Sequence, residues 1–150
     1  MERKGGNKKW CYDYPRPAYT ADCIIFTEKN QDTGIVLIKR KSDPFKNMWA
    51  LPGGFVDIDE KGIDAAKREL FEETGIVSGK LSEFGIFDSP GRDPRGRTVS
   101  AVFYGFVNNA EKQMNAGDDA TEVRLFSVKK LPDLAFDHKE IIEKAIKKLL

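Results

Sequence analysis

No apolar run in this chain approaches the eighteen or so residues of a membrane-spanning helix, so a membrane protein is not expected. The opening Met-Glu-Arg-Lys-Gly-Gly-Asn-Lys-Lys has no apolar stretch behind it and does not read as a secretory signal. Cysteine is scarce. Cys11 and Cys23 lack metal-ligand spacing, and Cys23, inside the apolar run 21–26, reads as a small core residue. A reducing cytoplasm is therefore the expected compartment. An excess of one charge is missing too: 25 Lys and Arg against 24 Asp and Glu leave a net charge of +1. Dedicated nucleic-acid surfaces are usually strongly basic, so no nucleic-acid partner is expected. Repeats, low-complexity blocks and dividing linkers are absent, and 150 residues suit one domain.

What the chain does have is an unusual acidic cluster. Over residues 54–76, Glu69, Glu72 and Glu73 fall within about 100° of arc on one side of a predicted helix, beside an apolar stripe of Ile63, Ala66 and Leu70. Like charges at these spacings repel by a few tenths of a kcal/mol per pair. They also crowd the negative end of the helix dipole. A solvated acidic face is one reading. A hard divalent cation is the other, because carboxylate-dense, oxygen-only sites are what Mg²⁺ binds.

Around the cluster, residues 20–27 and 34–40 read as strands, rich in Ile, Val, Leu and Phe. Residues 42–46 form a polar connection, and 49–54 reach the cluster through the pair Gly53-Gly54, which permits tight or unusual backbone angles. The helix starts between Asp59 and Gly62 and ends at Thr74, with Gly75 placed for a left-handed cap. Residues 80–87 look extended, 88–97 read as a loop, and 98–107 form the clearest strand. Residues 108–121 are polar and flexible-looking, 122–128 return to strand, and 138–150 carry helical periodicity. The first 13 residues are expected to be flexible. This order suggests an α/β (α+β) fold, a sheet with helices packed on its faces.

The spacing itself resembles the signature of the Nudix hydrolases. It runs Gly54, five residues, Glu60, seven residues, Arg68-Glu69, aliphatic Leu70, any residue, Glu72-Glu73, any residue, Gly75, aliphatic Ile76. The resemblance implies an α/β/α sandwich around a mixed sheet. It also implies Mg²⁺-dependent hydrolysis of a nucleoside diphosphate linked to another moiety, with Mn²⁺ as a substitute metal. Glu69, Glu72 and Glu73 become the main metal ligands, the Gly53 carbonyl a further one, and Arg68 the residue that orients a box glutamate. The base is not fixed by the box. Asp118, Asp119 and Glu122 are candidates, with Glu122 preferred; solvated turn acids are the alternative for each.

Substrate choice must come from outside the box. Arg92, Arg95 and Arg97 sit on one Gly/Pro-stiffened loop and offer planar forks for phosphate or ribose oxygens, unless they merely pair with Asp88 and Asp93. Phe45 is open to a substrate role, whereas Trp49 reads as loop packing. His138, the only histidine, suits capping or substrate contact at a helix start. This loop, together with residues 14–17 and 134–138, resembles the ADP-ribose-processing branch of the family, over about residues 14–142. A small nucleotide-sugar substrate follows, with ADP-ribose cleaved to AMP and ribose 5-phosphate. A hydrolase of modified nucleoside triphosphates and a non-catalytic ADP-ribose sensor are the alternatives. Regulators of the second kind are expected to carry a DNA-binding domain after this one, and about a dozen residues follow His138, so catalysis is the expectation unless a partner protein supplies the output. A homodimer is a further expectation, since family members often pair.

Overall fold

The computed structural model describes residues 10–117 and 120–150. Its elements are β1 (Ala18–Lys29), β2 (Asp32–Arg40), β3 (Trp49–Ala50), β4 (Gly53–Phe55), α1 (Gly62–Thr74), β5 (Ser82–Phe87), β6 (Thr98–Phe106), β7 (Ala120–Ser127) and α2 (His138–Leu149), with a short 3₁₀ turn at Ala110–Lys112 before β7. The sheet runs β3-β2-β1-β6-β5, with β4 also on β1 and β7 also on β2. β1 and β6 are parallel and the other pairs antiparallel, so the sheet is mixed, as expected.

Strand alternation assigns the two faces. Ala21, Cys23 and Ile25 of β1 pack with Ala65, Ala66 and Leu70 of α1. The intervening Ile24 and Phe26 pack with Ile141, Ile142 and Ala145 of α2. One helix therefore covers each face, giving a three-layer sandwich. No helix among the described residues is long and apolar enough to cross a membrane.

One irregularity positions the site. β1 and β2 pair only where Phe26–Lys29 meets Asp32–Ile35. Beyond that point they diverge, and residues 49–55 fill the wedge: Trp49 and Ala50 pair with β2, while Gly53 to Phe55 pair with β1. The expectation of unusual angles at Gly53-Gly54 is corrected here. Neither has positive φ, and both belong to β4. Glycine is required by crowding instead. A Cβ on Gly53 would stand 2.2 Å from Asp22 Oδ1 and 2.5 Å from the Ala21 carbonyl oxygen.

The polar stretch after β6 also has structure. Asn115 and Gly117 amides donate to the Thr74 and Glu73 carbonyls at 2.7 and 3.2 Å, satisfying acceptors that a helix end leaves open. Gly75 has φ 76° and closes α1 as expected, its amide donating to the Phe71 carbonyl. Residues 1–9 and the pair Asp118 and Asp119 lie outside the described residues, so most of the expectation of a flexible start falls there.

Candidate active site

Arg68 is the hub of the acidic cluster. Its Nη2 donates to Glu60 Oε1 at 2.6 Å and to the Phe55 carbonyl at 3.1 Å, and its Nε to Glu60 Oε2 at 3.2 Å. Its Nη1 reaches Glu69 Oε1 at 2.6 Å and Glu72 Oε2 at 3.3 Å. Three carboxylates thus surround one partly buried guanidinium and are oriented by it. The Glu60 pair drives Arg68 upward from the ordinary arginine range, while the same hydrogen bonds hold the Glu60 carboxyl below its usual value.

Glu73 is positioned differently. It is only 5% exposed, and its Oε1 accepts from the Gly53 amide at 2.8 Å across the wedge. Beside it, the Glu69 carboxylate lies against Gly54, where a Cβ would come within 2.5 Å of its Cδ. The glycine pair therefore lets the β4 backbone approach two box glutamates closely. Asp22, paired in register with Gly53, is buried and accepts from the Ser100 hydroxyl.

A basic group faces this acidic one. The Arg40 guanidinium stands 4.9 Å from the Phe136 ring centroid and the Arg95 guanidinium 5.4 Å from the same ring. Arg95 also lies 5.3 Å from the Phe55 ring, next to the Arg68 contact. Phe45 packs edge-on to Phe136, with centroids 4.8 Å apart. Burial, and then the Arg95 charge, push Arg40 down, while Glu73, Asp93 and Asp22 pull it up. Arg40 and Phe136 were not singled out in the sequence. Arg40 looks there like one of three basic residues at a strand end, although Phe136 falls inside the recognised segment 134–138.

The loop arginines separate. Arg95 is brought to the basic group, although its fork also clasps Asp93 at 2.8 Å, as the alternative reading had it. Arg92 is not brought there: its fork is used up by Asp137, at 2.9 and 2.7 Å, with the Arg92 side chain 5% exposed. Arg97 is exposed and donates to the Asp88 carbonyl, closing the ends of the loop. Nor is Glu122 brought to the cluster. It lies on the β7 face that carries Phe126, toward α2, and pairs with Arg124, whereas Val123 and Leu125 face α1. His138 is buried, and its Nδ1 accepts the Leu51 amide at 3.0 Å. Substrate contact is corrected for it, because the ring is enclosed. Trp49 packs edge-on against Phe126 at 4.7 Å, a loop-packing role.

Residues 16–146 match the model of the NUDIX domain family. The chain belongs to the Nudix family. An ADP-ribose pyrophosphatase of Methanocaldococcus jannaschii is 47% identical over 87% of this chain and 73% of its own length. The ADPR responsive transcriptional repressor NtrR of Acinetobacter baylyi is 38% identical over 91% of this chain, which spans about half, 56%, of that protein. Among solved structures, the Nudix domain of Shewanella oneidensis NrtR complexed with ADP ribose superposes with TM-score 0.86 at 27% identity, covering 93% of this chain and 94% of that one.

The Nudix box residues suit a divalent ion by their chemistry. Glu69, Glu72, Glu73 and the Gly53 carbonyl are an oxygen-only donor set, which favours hard cations. Among the described residues no three His, Cys, Asp or Glu side chains converge on one point as they stand. That is compatible with Mg²⁺, which keeps several waters and uses one or two carboxylates together with substrate phosphates.

Proposed function

We propose that this Nudix protein is a Mg²⁺-dependent pyrophosphohydrolase that cleaves ADP-ribose to AMP and ribose 5-phosphate, with Mn²⁺ able to replace Mg²⁺. The observation that carries the reading is the pairing of opposites across the wedge. Two guanidiniums, Arg40 and Arg95, share the Phe136 ring, close enough for the Arg95 charge to disfavour protonation of Arg40, and Glu73 of the box lies within electrostatic reach of Arg40. Like charges held together are relieved by an anion, and planar forks suit phosphate oxygens. A diphosphate bridge between the basic pair and an ion on the box satisfies both groups.

In this reading Arg40 and Arg95 hold the phosphates, and Phe45 and Phe136 supply apolar surface to the attached nucleoside or sugar. Arg68 holds Glu69 and Glu72, and the Gly53 amide holds Glu73, as the carboxylates that would bind the ion. A divalent ion held there would supply positive charge to a phosphoryl oxygen and lower the pKa of a water. Water adds to one phosphorus, and the bridging P–O bond breaks. The 47% identity to a protein named an ADP-ribose pyrophosphatase supports the substrate class.

The test is a panel assay with Mg²⁺ over ADP-ribose, other ADP-sugars, dinucleotides and nucleoside triphosphates, with products resolved by chromatography. AMP from ADP-ribose is expected, and Arg40→Ala should raise KM about tenfold or more. Diphosphate released from a triphosphate would move the reading to nucleotide-pool hydrolysis. A sensor is the second reading, favoured by the 38% identity to an ADPR responsive repressor. Tight ADP-ribose binding without turnover would establish it. The two free cysteines support a reducing, cytoplasmic setting. Pairing into a dimer is checked by light scattering, where a monomer at micromolar concentration removes it.

A further inference from the structure

The segment before α2 ties into the site's frame at nearly every residue. The Trp49 amide donates to the Asp133 carbonyl at 3.4 Å, and the Ala135 amide to the Trp49 carbonyl at 2.8 Å. Phe136 holds φ 53°, left-handed backbone that a bulky residue rarely adopts, and its ring is the one shared by Arg40 and Arg95. Asp137 binds the Arg92 fork. His138, enclosed at the start of α2, accepts the Leu51 amide on Nδ1, across 87 residues of sequence.

Leu51 begins a run of three backbone positions pinned to three elements. Its own amide is held by His138 of α2. The Pro52 carbonyl accepts the Cys23 amide of β1 at 2.8 Å. The Gly53 amide donates to Glu73 of α1 at 2.8 Å. A displacement at the first position is therefore passed to the last within two residues.

We propose that His138 is a positioning residue for hydrolysis: as a neutral hydrogen-bond acceptor on the Leu51 amide, it fixes where the Gly53 amide meets Glu73. This rests on the reading of Glu73 as a working carboxylate of a pyrophosphohydrolase. An imidazole that accepts on Nδ1 is neutral and carries its proton on Nε2. Protonation would turn that acceptor into a donor facing another donor. The surroundings favour the neutral form. Burial dominates, Arg92 of the loop 88–97 and Arg40 of β2 reinforce it, and Asp22 of β1 and Asp137 of the segment itself oppose it. Filling the core alone would not need this chemistry, because a phenyl ring occupies similar space.

That difference is the test. In the full chain, His138→Phe keeps the ring and removes the acceptor, while His138→Asn keeps an acceptor near the Nδ1 position. Amide hydrogen exchange is followed on the metal-free protein, and steady-state hydrolysis of ADP-ribose with Mg²⁺. In the Phe variant the Leu51 and Gly53 amides should lose protection together. Its kcat should fall about tenfold or more, with KM held within about twofold, because sub-ångström misplacement acts on turnover. The Asn variant should recover both. Gly53 remaining protected while Leu51 opens would overturn the inference. So would a Phe variant with full kcat, or an Asn variant as slow as Phe. If the Phe variant does not fold, the unaltered chain decides: Leu51 and Gly53 should exchange with one common opening free energy, and separate values refute the coupling. Absence of hydrolysis in every form, with the exchange pattern as expected, removes the functional reading and leaves the brace standing.

Discussion

Gly53→Ala probes the wedge most directly. A Cβ there would lie 2.2 Å from Asp22 Oδ1, 2.5 Å from the Ala21 carbonyl oxygen and 2.8 Å from Asp22 Cα. Two of those atoms are β1 backbone, and the third belongs to a buried carboxylate tied to Ser100. None can swing aside, so β4 must lift. Overpacking of this kind costs about 1–3 kcal/mol, and a hydrogen bond to a charged group is worth about 1.5–3 kcal/mol. The two do not add fully, since lifting β4 relieves the clash by giving up the Glu73 contact. About 3 kcal/mol is expected, which in a domain of this size lowers Tm by about 6–12 °C. Turnover should fall about 100-fold, the usual consequence of a displacement near 1 Å. Gly54→Ala separates the two effects. Its Cβ meets only the end of the Glu69 side chain, at 2.5–2.8 Å, which can rotate away. Activity should drop there while Tm moves far less. Gly79→Ala is the control, with nothing within 4 Å of the added atom, and should stay within about 0.5 kcal/mol of wild type. Thermal melts by circular dichroism and ADP-ribose turnover read all three. Wild-type Tm and kcat in Gly53→Ala would refute the crowding argument outright.

Glu72→Gln and Glu73→Gln keep shape and remove charge, so each should cut kcat about 100-fold or more, the several kcal/mol expected of lost metal-borne charge stabilisation, with the circular dichroism spectrum unchanged; full activity in both contradicts the metal assignment. Asp137→Asn leaves the enclosed Arg92 guanidinium without its carboxylate and should cost about 3–5 kcal/mol in urea unfolding; a loss under about 1 kcal/mol would mean that water screens the pair. Stability should also fall on mild acidification. His138 has its pKa lowered in the folded state, so below about pH 6.5 the unfolded chain binds the proton first and unfolding is favoured, down to the folded value. Glu60 and Asp93 are lowered as well, but their contribution is present above about pH 4 and is lost only below it. Urea midpoints between pH 7.5 and 5.5 should therefore slope in wild type and flatten in His138→Asn; equal slopes would free His138 of that role.

The legible parts of this protein are those whose information is local. The box helix could be read because its glutamates, its apolar stripe and its capping Gly75 all lie within a few turns, and β1 and β6 because their apolar, β-branched and aromatic content marks a strand within its own length. The wedge could not, since strands of two and three residues carry no period and pair with different neighbours. The arginine loop shows the same limit at single residues. Arg92, Arg95 and Arg97 look alike in sequence, each a fork on a stiff turn. Two have partners within reach of a sequence reading, Asp93 two residues away and the Asp88 carbonyl nine away. Arg92 finds Asp137 across 45 residues, and that partner turns a candidate phosphate fork into a buried tie. Arg40 moves the opposite way. Its hydrogen bonds go to the backbone carbonyls of Pro44 and Ser42, and its proximity to Arg95 and Glu73 exists only once the segment before α2 has folded against β3. The acidic half of the site is thus written in one helix. The basic half is assembled from β2, the loop 88–97 and the segment 133–138, so perturbing the Trp49 contacts of that segment should disturb phosphate recognition, whereas loss of its Leu51 contact acts on the box.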